Sequence, residues 1–389
     1  MVKSSQPHIL IFEPRSEGHH LSWLRYVAED LLGAGFRLTL AVDCRPEAKA
    51  LIEENLSALM DKVSLVSLFD EDKKFHGGSK LRALAHCLDK SGAQETFVNN
   101  LDDIASLCLR SAAVGIYPPR LLQGRLSGVY FRPRFLKNAS WPPGNIIKAA
   151  GFQRLCRQGW FKHMFMLDEY IFATVKDRYD GAAFHFLPDP WDGDFSHHQN
   201  EARQALDIPS ERFVLLNYGM GDRRKGLYLT VRALLESPPE SRLFLLCAGK
   251  LDRDRELLDN LDRLAERKMA KVMNRYVSDA EESLCFCAAD IVVLPYINHF
   301  GSSGVLSLAA AAGKMVIASD EGLVAQRIQE HKLGWLFPSR NVEKLKSCFE
   351  QASSLSELDL DSFRQAALAY SRLCSREAFR NALLSVFVP

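Results

Sequence analysis

Four small residues, Gly301, Ser302, Ser303 and Gly304, stand in ADIVVLPYINHFGSSGVLSLAAAAGKMVIASD, residues 289–320, where a loop gives way to a helix. A helix start leaves backbone N–H groups unpaired and carries partial positive charge, so a glycine and serine turn there can hold a phosphate closely. The alternative is that Ser303 only caps the helix and Gly304 only relieves crowding. A second group with the same chemistry lies upstream: GDRRKG, residues 221–226, gathers Arg223, Arg224 and Lys225 between a strand and a helix. A solvated basic turn would explain those charges too. Two anion-favouring loops in one half of the chain favour a shared anionic ligand.

Hydrophobic periodicity supplies the elements that must position these loops. Ile291 to Leu294 reads as a buried parallel strand, Gly304 to Ala312 as a small-residue helix, and Met315 to Ala318 as the next strand. FVLLNYG (213–219) and LYLTVRALL (227–235) flank the basic loop as strand and helix. In an open α/β sheet, ligands bind at the carboxyl ends of the strands, so both loops are aimed at one crevice. The amino-terminal half alternates in the same way. ILIFEP (9–14), LTLAVD (38–43), VSLVSLF (63–69), TFVNNL (96–101) and HMFML (163–167) read as strands, with a helix over 20–33. Such alternation predicts two doubly wound parallel sheets. FLPDPWDGDF (186–195) concentrates proline, glycine and aspartate between them, which places a hinge near Asp192.

At these residues the sequence resembles a known family. Residues 210–340 are similar to the nucleotide-sugar-binding half of GT-B glycosyltransferases of family four, the glycogen synthase-like type. The resemblance rests on Gly219, Lys225 and Gly226 at G-x5-K-G spacing, on LFLLCAGK (243–250), on RYVSDAEESLCFCAADIVVLPY (275–296) and on GKMVIASDEG (313–322). It implies an α/β, GT-B architecture: two Rossmann-like doubly wound parallel-sheet domains facing a cleft. The spans expected are 1–191 on the acceptor side, 192–357 for the donor, and a helical tail, 358–389, crossing back. It further implies a nucleotide diphosphate sugar donor held by Gly18, Arg224, Lys225, Gly249, Val277, Ser302, Ser303, Gly304 and Val305. Transfer would be of hexosyl type to a hydroxyl of a saccharide or lipid-linked acceptor, with retention, in polysaccharide or glycoconjugate biosynthesis, and with no cofactor. Three positions depart from the pattern. Met220 stands where the family has an arginine, and Phe300 and Leu308 where many members have glutamates. Main-chain amides with Ser302 and Ser303 would then carry the phosphate site.

The loop EPRSEGHH, residues 13–20, closes the first strand on the ligand side of its sheet. Gly18 lets the backbone approach a ligand, and His19 or His20 could act near neutral pH or bond a sugar hydroxyl. Packing at the helix start is the alternative for His20. Asp102 and Asp103 follow a strand at the same edge; Asp102 could orient the acceptor hydroxyl, or an aspartate there could cap a helix.

The 389 residues with 47% hydrophobic content suit two domains. No export pattern opens the chain, and no run nears the roughly 20 apolar residues a bilayer span needs. The nine scattered cysteines read as reduced core residues of a cytoplasmic protein, and their spacing gives no metal site. Charge is uneven: residues 104–167 hold ten Lys and Arg with no Asp or Glu. Interleaved there are Tyr130, Phe131, Phe135, Trp141, Phe152, Trp160 and Phe161, a mixture suited to a peripheral contact with the inner face of an anionic membrane or to a phosphate-bearing acceptor. A solvated helical face with aromatics in the core is the alternative. Near-neutral charge and the lack of a recognised motif argue against nucleic acid. A nucleotide-sugar epimerase of the same fold, or a non-catalytic sugar-nucleotide-binding protein, are the competing functions.

Overall fold

The computed structural model describes residues 6–16, 20–137, 142–238 and 240–388. The chain divides into two compact units, 1–188 with 379–389, and 189–378.

The first unit holds seven strands: β1 (His8–Phe12), β2 (Arg37–Val42), β3 (Ser64–Ser67), β4 (Glu95–Val98), β5 (Leu126–Tyr130), β6 (Phe161–Met166) and β7 (Ala183–Phe186). They form one parallel sheet in the order β3-β2-β1-β4-β5-β6-β7. β1 is buried at every position because helices cover both faces, which is why its sequence is a continuous apolar run. One face packs around Phe12, Leu84, Leu109 and Phe152, the other around Ile11, Leu24, Val27, Phe97 and Phe165. The last helix, Arg376–Phe387, joins this second core: Phe379 meets Trp23 edge-on, and Phe387 lies against Phe36 and Phe165.

The second unit repeats the plan with β8 (Phe213–Tyr218), β9 (Leu243–Ala248), β10 (Ala270–Met273), β11 (Ile291–Leu294), β12 (Met315–Ser319) and β13 (Gly334–Phe337). All pair in parallel in the order β10-β9-β8-β11-β12-β13. The helix Glu357–Leu373 stays with this unit, packing on the helix Gly304–Ala311. Strand order reverses at β1/β4 in the first sheet and at β8/β11 in the second. Those two switch points open the crevices in which doubly wound folds bind ligands.

Among the described residues, no helix is long and apolar enough to cross a membrane, and no cluster of three or more His, Cys, Asp or Glu is placed to hold a metal ion.

Candidate functional site

The loops after β8 and β11 meet at the switch point of the second sheet and are sewn together by backbone. The Ile297 N–H donates to the Arg224 carbonyl at 2.8 Å. Gly226 makes the approach feasible: its φ is +68°, and a Cβ there would run into the Pro295 carbonyl. Gly249, at φ +134°, lets the turn after β9 pass directly over the Gly219 carbonyl in the same way.

Lys225 lies over the face of Tyr296, with Nζ 4.0 Å from the ring centroid and 2.9 Å from the hydroxyl. Among the described residues, no carboxylate lies within ion-pair distance of Lys225. Arg224 donates from Nη1 to His299 Nδ1 at 2.7 Å and from Nη2 to Asp222 Oδ2 at 3.1 Å. Since arginine only donates and a carbonyl only accepts, the 3.0 Å contact of His299 Nε2 with the Ser302 carbonyl fixes the tautomer. His299 is thus neutral, protonated at Nε2, and joins the basic loop to the glycine and serine loop.

Both serine hydroxyls of that loop hold protein rather than cap the helix. Ser303, the residue before the helix Gly304–Ala311, makes no side-chain cap; its Oγ lies 3.1 Å from the Tyr296 hydroxyl. Ser302 Oγ donates to Asp189 Oδ2 at 2.7 Å and accepts from Arg327 Nη1 at 2.8 Å. Asp189 is buried, and burial raises its carboxyl above the usual range, opposed by the Ser302 bond and by the charges of Arg327 and Lys225. The hydroxyls thereby anchor the loop from behind, and the first-turn amides after Ser303 are left to face a ligand. Gly304 is roomy: the nearest atom to a Cβ there would be Asp189 Oδ1 at 4.0 Å. Val305 borders the crevice at Gly219, whose Cβ position lies 4.0 Å from Val305 Cγ2. Val277, Val305, Leu308 and Tyr218 are half-buried and pack against one core cluster of the second unit. Phe300 is 45% exposed and Met220 47%.

At the switch point of the first sheet, Gly18 and His19 lie outside the described residues. His20 opens the helix His20–Gly33, and its Nδ1 lies 3.1 Å from Glu13 Oε2. Glu13 is completely buried and also accepts from Asn99 Nδ2 at 2.7 Å and from the Arg15 amide at 2.9 Å. A carboxylate at Nδ1 makes that nitrogen the donor and fixes the ring's orientation. Asp102 is in the first turn of the helix Asp102–Ala113, where its Oδ2 accepts the Phe131 amide at 2.8 Å and the Arg132 amide at 3.3 Å. Burial raises its carboxyl, with the Arg132 charge and those amides opposing. Its visible work is to hold the turn after β5.

Tyr296, His299, Asp189, Arg327 and Glu13 were not singled out by sequence reasoning. Tyr296 and His299 lie inside the segment 289–320 that carries the phosphate loop, and Asp189 inside the proline- and aspartate-rich hinge; only the fold shows what each touches.

Two parallel α/β units, each a doubly wound sheet with its switch point at the carboxyl edge, define the GT-B class. Sucrose-phosphate synthase from Thermosynechococcus elongatus shares the fold at 15% identity and a TM-score of 0.68, over 98% of each chain. Anabaena HepE, in complex with UDP and glucose, is 13% identical, with a TM-score of 0.69 over 98% of this chain and 99% of that one. WaaG, a glycosyltransferase involved in lipopolysaccharide biosynthesis, is 17% identical, with a TM-score of 0.69 over 98% and 100%. Residues 198–367 match the family model of glycosyl transferases group 1, a span that includes Arg224, Lys225 and Tyr296 to Val305. No curated protein sequence matches the chain.

Proposed function

We propose that this protein transfers a sugar from a nucleotide diphosphate sugar to an acceptor hydroxyl. The observation that carries the reading is Lys225, a cation with no carboxylate within ion-pair distance among the described residues, set on Tyr296 beside the start of the helix Gly304–Ala311. Two fixed sources of positive potential beside the half-buried Val305 suit a diphosphate attached to a nucleoside. The family match over these residues and the UDP held by HepE support it.

In this reading the bond from the anomeric carbon to the diphosphate oxygen breaks and a bond to the acceptor oxygen forms. Arg224, Lys225 and the amides of Ser302 to Gly304 stabilise the charge that develops on the leaving diphosphate. Gly249, Val277 and Val305 border the nucleoside. His20, oriented by Glu13, is the residue of the first unit suited to take the acceptor proton. The group 1 match favours retention and a hexosyl donor, the acceptor being a saccharide or a lipid-linked one. We place the protein at the periphery of a membrane, and Phe300 and Leu308 in the positions where many relatives have glutamates.

Incubation with a panel of labelled nucleotide sugars tests this directly. The expected result is release of nucleoside diphosphate with label in a glycoside of defined anomeric configuration. Isomerised donor, or no turnover of any donor that binds, would refute sugar transfer.

A further inference from the structure

The acid-free stretch 104–167 does not present its aromatics to solvent. Tyr130, Phe135, Phe152, Trp160 and Phe161 are all buried in the first unit's core, and Trp141 lies outside the described residues. A different set of apolar side chains is exposed there. Leu107 (66%), Val114 (73%) and Ile116 (65%) stand along the helix Asp102–Ala113 and the loop that leaves it, and Ile146 (53%) and Ile147 (47%) along the helix Pro143–Arg157.

The two helices are neighbours, so these residues share one surface. Arg154 Nη1 reaches the Ala112 carbonyl at 3.5 Å, and an Arg110 guanidinium nitrogen lies 3.8 Å from the Cβ position of Gly144. On the first helix Leu107, Arg110 and Val114 recur at three- and four-residue spacing, which puts them on one solvent stripe. Ile146 and Ile147 lie beside Lys148, whose amine is held below its usual range by burial and by the Arg110 charge, opposed by Asp102, with Arg134 adding to the lowering. Apolar tips thus stand among the cations of a stretch that itself holds no acid, Asp102 at the start of the first helix being the carboxylate that acts on Lys148.

We propose that this face, Leu107, Val114, Ile116, Ile146 and Ile147 with Arg110 and Lys148, docks the first unit onto an anionic lipid bilayer. The inference rests on the peripheral-membrane part of the functional reading and not on sugar transfer. Soluble proteins rarely leave five large aliphatic side chains exposed on two neighbouring helices and the loop leaving one of them without a partner surface. A protein partner would leave the cations to find individual carboxylates, whereas an anionic bilayer satisfies both features at once: aliphatic tips enter the interface and Arg and Lys meet headgroup phosphates. No spanning helix is needed for reversible attachment of this kind.

The test is co-sedimentation of the full chain with vesicles of phosphatidylcholine alone or with phosphatidylglycerol, from low to high salt and without donor. Wild type is expected to pellet with the anionic vesicles and to be released as salt shortens the Debye length from about 10 Å at 0.1 M to about 3 Å at 1 M. The variant Ile146→Asn with Ile147→Asn, and separately Leu107→Gln with Ile116→Asn, should each lower partitioning about tenfold or more, because each removes two inserting side chains. All four positions are exposed, so thermal melting should be unchanged. Wild-type binding that neither variant weakens would overturn this face while leaving a membrane contact elsewhere. No binding to anionic vesicles would overturn the membrane reading and this inference together, with donor turnover untouched. A lipid-free dimer that both variants dissociate would assign the face to a second copy of the chain and overturn the proposal.

Discussion

Removing the Lys225 charge isolates the interaction on which the functional reading depends. In Lys225→Met the stem is kept and only the ammonium is lost. The folded protein forfeits a cation–π contact over Tyr296 and one hydrogen bond to its hydroxyl, together about 1–2 kcal/mol. No buried carboxylate is orphaned by the change, so the fold should survive it. A charge-assisted contact to a diphosphate is worth about 1.5–3 kcal/mol, which at about 1.4 kcal/mol per decade is roughly a tenfold to hundredfold loss of donor affinity. Tyr296→Phe keeps the charge while cutting the hydroxyl link to Ser303, and should cost less than Lys225→Met. Calorimetric titration of both variants with the nucleoside diphosphate that most stabilises wild type reads the difference. Lys225→Met binding within about twofold of wild type, in protein that melts normally, would refute a diphosphate at this lysine.

Two further outcomes follow from the second unit. Gly304→Ala meets no atom closer than 4.0 Å, so it should melt at or slightly above the wild-type temperature yet bind donor more weakly by at least about tenfold, the added methyl standing where a phosphate must approach; unchanged affinity would make the helix start a structural turn only. Glu282, bonded to the Tyr218 hydroxyl at 2.6 Å, is pushed up to about 7 by burial, with Asp279 and Asp192 adding to the rise and the Tyr218 bond opposing it. The folded state then holds this proton more tightly than the unfolded chain, so the stabilisation is complete below the ordinary carboxylate range and lost as pH rises through about 7, in all about 3 kcal/mol. Glu282→Gln should flatten that fall in melting temperature between pH 4.5 and 8, and an identical slope in both proteins would show that another group titrates.

Much of the fold was legible because buried parallel strands write themselves as apolar runs. Ile291 to Leu294 is the strand the sequence predicts, and the helix over 20–33 begins and ends where the periodicity places it. The strands that escaped notice are β5, β7, β10 and β13. β7, β10 and β13 are four residues long and only partly buried, lying at a sheet edge, so no apolar run marks them. β5 is fully buried but contains Gly128, which the pattern reads as a break and the fold requires, since a Cβ there would strike the Val98 carbonyl. The site was legible at the level of loops. Which way a hydroxyl turns was not: Ser302 faces Asp189, 113 residues away in sequence, and no local signal encodes that pairing.

Both sheets reverse strand order at the same place, so topology alone does not say which unit takes an anion. Charge pairing supports the second unit in the proposed reading. At the carboxyl edge of the first sheet, Arg15 is bonded to Asp103, Arg45 to Asp43 through two guanidinium nitrogens, and Arg132 lies 3.8 Å from Asp102. A phosphate entering there would have to displace carboxylates already in place, and the repulsion of those acids would offset much of the attraction. At the second switch point Lys225 has, among the described residues, an aromatic face and a hydroxyl and no carboxylate within ion-pair distance, and the adjacent helix start adds amides; the acids nearby are Asp222, bonded to Arg224, and the buried Asp189, bonded to Ser302. A diphosphate gains there what the first unit has already spent internally. The first unit offers the complementary chemistry: a buried Glu13 that accepts from Asn99 and orients His20, groups suited to a neutral hydroxyl and its proton rather than to a polyanion. In the proposed reading, the division between an anion-binding unit and a proton-handling unit would arise from where the acids stand on two sheets of one topology.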